Sequence, residues 1–395
     1  MSNMESPPLV AHLIYRLDIG GLETLLVDAI NRMPAHKYRH AVICLTDYTE
    51  FAQRITRPGV ELYALHKPPG LGLGSHKRLF KLLRELRPTV LHTYNLGTIE
   101  YHATALLAGV PVRVHAEHGR DASDPHGVNR KHNLLRRLLV PVIDRYVPVS
   151  RDLERWLHGT VGIPQAKVEL IDNGVDTERF RPATEASSEA WSAPVNGQAP
   201  FVIGTVGRLQ DVKDQHTLIE AFARLRAMLP EQRERLRLVL VGDGPLRGRL
   251  EQSIADAGLQ DCAWLAGPRS DVAPPMRSFS LFALSSIAEG TPVTMLEAMA
   301  SGLPVVSTAV GGIPDLVQDG VSGALVPPRD AAQLATALAA YVLDEERTRL
   351  HGAAGRARIE QKYSVSAMLA HYVDLYDGLR KTKTPLQEAI TPCAE

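Results

Sequence analysis

Short apolar runs alternate with helix-periodic stretches along the whole chain, and the alternation starts afresh after the Ser-, Ala- and Pro-rich segment Ala183–Ala199. Strand-length runs separated by helices require parallel sheets whose crossover helices cover the faces. In the first half, Val10–Tyr15, Ala41–Leu45, Thr89–His92, Val112–Ala116 and Tyr146–Val149 read as buried strands. Gly20-Gly21 and an apolar-periodic helix over Leu22–Asn31 follow the first of them, and Asn129–Ile143 reads as a basic helix. In the second half, the strands Phe201–Val206, Leu236–Val241, Ala263–Ala266 and Leu281–Ala283 alternate with helices over Gln215–Met228 and Leu246–Ala257. A chain of 395 residues exceeds one core. The expected division is a first α/β domain over 1–178, a linker over 179–200 and a second α/β domain over 201–363. An amphipathic helix over 364–380 and a mobile tail over 381–395 complete it.

Lys plus Arg and Asp plus Glu number 44 each, which gives no bulk electrostatic case for a nucleic-acid partner. Residues 1–175 carry 22 basic and 17 acidic side chains and the remainder 22 and 27, so the basic excess lies in the first half. The cysteines, Cys44, Cys262 and Cys393, are few and far apart, which suggests a reducing compartment without a disulfide framework. The N-terminus lacks a basic n-region, and no run approaches the ~18 apolar residues of a membrane span. A cytoplasmic protein, at most peripheral to a membrane, is expected. In Asn129–Val140, four basic residues in eight lie beside an apolar stripe. Both a membrane-surface helix and a core-facing helix with a solvated basic side fit that pattern.

The stretch Glu289-Gly-Thr-Pro-Val-Thr-Met-Leu-Glu297 places two carboxylates eight positions apart across a helix start. Thr291 suits the N-cap and Pro292 the first helical position, while Gly302 and Pro304 end the helix. A helix start attracts anions, so flanking carboxylates could hold sugar hydroxyls on either side of a bound phosphate. Gly204-Thr-Val-Gly-Arg208-Leu-Gln-Asp-Val-Lys213 links a strand to a helix and sets two cations on one loop, a planar fork and a point charge that can both reach a pyrophosphate. Two exposed loop cations are the plain alternative. Gly242-Asp-Gly244-Pro-Leu-Arg-Gly248 imitates a dinucleotide fingerprint, but its third glycine comes one position late and it lies deep in the chain. His115-Ala-Glu-His118 falls one residue short of an inverted zincin spacing and offers no third ligand at a known offset.

The two glutamates with EAMASGLPVVST and the Gly311-Gly312 loop resemble the signature of retaining glycosyltransferase family 4, with similarity over about residues 9–380. The resemblance implies the GT-B fold, two Rossmann-like α/β domains facing across a cleft, with the terminal helix returning to the first domain. It implies that Arg208 and Lys213 carry the leaving diphosphate without a metal, that Glu289 holds donor-sugar hydroxyls and Glu297 the ribose. Thr291 and Pro292 would belong to the same donor loop. His118 would lie near the anomeric region, Gly20 and Gly21 would let the backbone approach the donor, and Gly267 would lie beside the base. The implied partners are a nucleoside-diphosphate sugar and a glycan or lipid-linked acceptor, with no cofactor. VRVHAEHGRD, SRDLERWL and IDNGVDTERFRP are similar to exopolysaccharide transferases that accompany bacterial exosortase (PEP-CTERM) systems. Thr291 and Asp315 depart from the family pattern near the sugar pocket. A GT-B epimerase and a non-catalytic nucleotide-sugar-binding subunit are the rival readings.

Overall fold

The computed structural model describes residues 6–70, 72–121, 123–184, 189–194 and 197–383. The first sheet is built from β1 (Leu9–Ile14), β2 (Arg39–Cys44), β3 (Glu61–Ala64), β4 (Val90–Tyr94), β5 (Val112–Glu117) and β6 (Arg145–Pro148). The second holds β7 (Phe201–Val206), β8 (Leu236–Val241), β9 (Ala263–Gly267), β10 (Leu281–Leu284), β11 (Val305–Thr308) and β12 (Gly323–Val326). Their orders are β3-β2-β1-β4-β5-β6 and β12-β11-β10-β7-β8-β9, and the pairings within both are parallel. Two doubly wound α/β domains of this kind are the GT-B architecture. The order reverses beside β1 and beside β7, and ligands of such sheets gather outside the strand ends at that reversal.

Central strands such as β1 and β7 are buried on both faces, so their sequences are mostly apolar, while β4 and β5 are equally buried and carry His92, Thr93, Arg113, His115 and Glu117 inside. The edge strands β3 and β12 escaped the sequence reading for the opposite reason. Each has four residues and is half-exposed at two or more of them. The helix Val365–Lys383 sends Met368, Leu369, Tyr372, Leu375 and Tyr376 into the core formed by β1, β4 and the helix Gly21–Arg32. It runs three residues past Arg380, so Lys381–Lys383 are helical where a mobile tail was expected, and 384–395 lie outside the described residues. At the crossing back to the first domain, Ser364 bridges to Val175. A Cβ on Gly174 would come within 2.7 Å of the Val365 Cα, so the two segments cross at a position only glycine fits. In the expected linker, Trp191 is buried, and its indole donates to Ser278 Oγ at 2.9 Å, which ties that stretch to the second domain.

Candidate donor site between the two sheets

The loop after β7 is held from below by glycines. Gly242 and Gly244 adopt φ of +144° and +157°, and a Cβ on either would collide with the carbonyl of Gly207 or Leu209. The resemblance to a dinucleotide motif therefore has a packing origin: these glycines let the β8 turn lie directly against the Arg208 loop. Lys213 ends a short 3-10 turn, and its backbone carbonyl accepts from Ser285 Oγ at 3.1 Å. Gln215 Nε2 donates to the Arg208 carbonyl at 2.9 Å. Both cations thus project from a loop whose backbone is tied down on two sides.

Lys213 Nζ lies 2.5 Å from Glu289 Oε1, and Ser286 Oγ donates to the same oxygen at 2.6 Å. The Glu289-Gly290 backbone is enclosed on two sides. A Cβ on Gly311 would strike the Glu289 carbonyl, and Gly312 N–H donates to the Gly290 carbonyl at 2.9 Å. From the first domain, the His118 carbonyl sits where a Cβ on Gly290 would be. The helix that follows begins at Val293, with Pro292 as its cap residue, one position later than the sequence suggested. Thr291 does not cap it. Its Oγ1 donates across the domains to the Val149 carbonyl at 2.6 Å, and Asn173 Nδ2 donates to the Thr291 carbonyl at 3.2 Å. Thr291 is thus a bridge between domains.

Glu297 is 5% exposed, and burial pushes its carboxyl up to about 8, against the opposing pull of Arg179 and with Asp28 adding to the rise. Arg179 itself is fixed by Asp271 at 2.8 Å. Burial therefore favours the protonated form of Glu297.

Gly20 and Gly21 open the helix Gly21–Arg32 of the first domain. A Cβ on Gly20 would come within 3.3 Å of Arg208 Nη2, and one on Gly21 within 3.3 Å of the Val293 side chain. Both glycines thus face the other domain. Glu23, one turn on, is half-buried. Burial raises its carboxyl, and the Arg208 guanidinium counteracts that rise. The sequence reading did not single out Glu23, although its place three residues after the helix cap was visible.

His118 follows β5, and its backbone N–H donates to Asn95 Oδ1 at 2.8 Å. Asn95 stands at φ +58°, a left-handed conformation asparagine tolerates, which turns its amide toward the His118 loop. Both His118 ring nitrogens are buried without a hydrogen-bond partner among the described residues. The ring borders a cavity of about 30 Å³ shared with His12, Leu22, Tyr94 and Tyr372. Burial brings its pKa down to about 4; Glu117 opposes that shift and His115 adds to it. The backbone of His118 thus meets the donor loop while its imidazole faces the interior of the first domain. His115 is a core strand residue: its nitrogens engage Thr93 Oγ1 at 2.7 Å and Glu117 Oε1 at 3.2 Å, and Arg136 Nε holds the same Glu117 oxygen at 2.5 Å. Gly267 ends β9 at φ +73°, accepts from Gly242 N–H at 2.9 Å, and has open space where a Cβ would be.

Arg208, Lys213, Glu289, Gly290 and the Gly20–Glu23 turn therefore converge at the facing ends of β1 and β7, with Glu297 a turn deeper in its helix. The model described as Glycosyltransferase Family 4 matches residues 19–179, and that described as Glycosyl transferases group 1 matches residues 200–344. EpsF of Bacillus subtilis, whose name places it with the glycosyltransferases, is 29% identical over 311 residues, covering 75% of this chain and 78% of EpsF. The amylovoran biosynthesis glycosyltransferase AmsK of Erwinia amylovora is 30% identical over 257 residues, which span 62% of this chain and 59% of AmsK. The crystal structure of Anabaena HepE with UDP-glucose superposes with a TM-score of 0.80 at 21% identity, over 94% of this chain and 100% of HepE. Sucrose-phosphate synthase from Thermosynechococcus elongatus gives 0.80 at 19%, over 95% and 100%. The fold and these matches define a glycosyltransferase of the GT-B type. Within that class, the chain joins a family 4 domain to a group 1 domain, one per sheet.

Proposed function

We propose that the protein moves a hexosyl group from a nucleoside-diphosphate sugar to a hydroxyl of a glycan or lipid-linked glycan, with retention of configuration. The observation that carries this reading is the contact of Lys213 with Glu289 beside a helix start, opposite Arg208 and the Gly20-Gly21 turn. Charge develops on the leaving diphosphate, and preorganised donors aimed at it supply the main rate enhancement. Arg208 and Lys213 take that charge without a metal ion, Glu289 holds sugar hydroxyls, and Glu297 faces the ribose. No side chain is assigned as nucleophile, and the acceptor attacks on the face the diphosphate leaves. The HepE structures that contain UDP and UDP-glucose support a nucleotide-sugar donor. AmsK, named for amylovoran biosynthesis, supports a role in exopolysaccharide assembly, which we place with the exosortase-associated transferases at the inner face of the plasma membrane.

Thermal-shift measurements with UDP, GDP, ADP and their sugars test the donor, because a ligand that binds the folded state raises its apparent stability. One nucleotide sugar should raise Tm by several degrees and then support acceptor-dependent transfer. No shift with any of them at millimolar concentration would defeat the donor reading. Conversion of the sugar without acceptor would favour an epimerase, and binding without turnover a non-catalytic subunit.

A further inference from the structure

Strand β10 runs in the interior of the second sheet, between β7 and β11, and the three residues that follow its last position are directed at the Lys213 and Glu289 loops. Ser285 Oγ donates to the Lys213 carbonyl at 3.1 Å. Ser286 Oγ donates to Glu289 Oε1 at 2.6 Å. Ile287 N–H donates to the Val212 carbonyl at 2.9 Å. One short segment therefore holds the cation loop, then the carboxylate, then the cation loop again. The segment is itself fixed. Thr308 Oγ1, at the end of β11, donates to the Ser286 carbonyl at 2.6 Å, and Ser285, Ser286 and Thr308 are all buried.

The hydrogen bonds of Glu289 fall on one oxygen. Its side chain is only 8% exposed, and among the described residues its two donors, Lys213 Nζ and Ser286 Oγ, both meet Oε1. Oε2 is left for another partner. A carboxylate buried to this degree is costly unless donors are held against it. The two donors respond differently to an anionic ligand. Lys213 is a point charge on a flexible stem, which an arriving phosphate attracts. Ser286 is an uncharged hydroxyl on a short side chain at a strand end, and a phosphate has no comparable pull on it. Its bond to an ionised acceptor is nevertheless roughly twice as strong as one between neutral groups.

We propose that Ser286 is a positioning residue for the donor sugar: it keeps Glu289 oriented, with Oε2 available to a sugar hydroxyl, once Lys213 has passed to the diphosphate. Ser285 keeps the backbone of Lys213 in register with it. This role rests on the donor reading given above. In the free protein the ion pair satisfies both charges. In the complex the phosphate takes Lys213, and the Ser286 hydroxyl remains as the fixed partner of Glu289. Ser286 touches neither sugar nor diphosphate in this role and acts through Glu289 alone.

A double-mutant cycle on the ligand-free chain tests the holding role. Ser286→Ala and Lys213→Ala each leave Glu289 one donor, and together they leave it none. The double variant should therefore lower Tm by about 2–5 °C more than the two single losses added. Additive losses would overturn the proposal, because Ser286 would then serve the strand end alone. The sugar role is read with UDP, GDP, ADP and their hexose conjugates. Ser286→Ala should bind the preferred free diphosphate within about twofold of wild type and its sugar conjugate roughly tenfold more weakly, with kcat/KM for transfer lowered by a similar factor. On a Glu289→Ala background the same change should alter kcat/KM by less than about twofold. An equal loss for free diphosphate and conjugate, or none for either, would refute the positioning role and leave the donor reading intact. Wild-type protein that bound none of these nucleotides would refute the donor reading and the positioning role with it.

Discussion

Lys213 Nζ and Glu289 Oε1 stand 2.5 Å apart, so the cation proposed to meet a diphosphate is already paired with the carboxylate proposed to hold the sugar. The pair is mostly shielded from solvent and is braced by Ser286. A phosphate arriving at Lys213 would take over part of its charge and free Glu289 to accept hydroxyl protons. Ligand binding thus exchanges one ion pair for two sets of contacts, with neither charge left buried and unpaired. Lys213→Ala and Glu289→Gln should each reduce transfer by roughly 10²–10³ with the far-UV spectrum unchanged. Wild-type turnover in either folded variant removes that residue from the site.

Gly290→Ala probes the junction of the two domains. Its new methyl would occupy the position of the His118 carbonyl oxygen, and overpacking of this kind costs about 1–3 kcal/mol. The expected result is a lowered Tm together with a transfer loss of more than tenfold, because the His118 loop must retreat from the donor loop. An active variant of unchanged stability would show that the junction yields easily.

The first domain should be acid-labile. His12, His40, His92, His102 and His118 are all pushed down, first of all by burial, His40 to about 3 and His118 to about 4. In the unfolded chain a histidine takes its proton near pH 6.5. The unfolded state therefore binds more protons below that pH, and stability is full above about 6.5 and falls as the pH drops toward the folded values. Thermal unfolding followed from pH 7.5 to 4.5 should show Tm declining already between 6.5 and 5, above the range where ordinary carboxylates titrate. A flat Tm across that interval would contradict the assignment.

Glu297 titrates with the opposite sign. Its folded pKa of about 8 lies above that of an unfolded glutamate, so the stability it contributes at low pH is lost as pH rises from about 4.5 through 8. Glu297→Gln keeps the neutral shape and should match or exceed the wild-type Tm at pH 8.5 while weakening donor binding about tenfold. A variant less stable than wild type at that pH would mean that the carboxylate is charged and paired in the fold.

Transfer should persist in excess EDTA with metal-free substrates. A leaving diphosphate needs its charge offset by a cation or by fixed side chains, and Arg208 with Lys213 supplies two positive charges on one restrained loop. Loss of activity in EDTA and its recovery with Mg²⁺ or Mn²⁺ would refute the role given to that pair.

The chain alone determined the architecture, because strands buried on both faces are written as short, mainly apolar runs and these runs alternate with helical segments. It also marked the loops to which donor binding is assigned in the proposed function. Arg208 with Lys213, and Glu289 with Glu297, form two pairs of close sequence neighbours, each at a strand-to-helix passage where local chemistry is readable. What only the tertiary structure decided are the relations between segments far apart in the chain. Thr291 reads locally as a helix cap, yet its hydroxyl serves Val149 in the other domain. Glu23 joins the site because the field of the Arg208 guanidinium acts on it across the cleft. The helix at 130–138 has one periodic pattern that fits two rotations, and the buried Glu117 selects the one that draws Arg136 inward beside Leu135 and leaves Leu134 and Leu138 outside. Periodicity specifies which residues share a face; the partner waiting in the core determines which face is turned in.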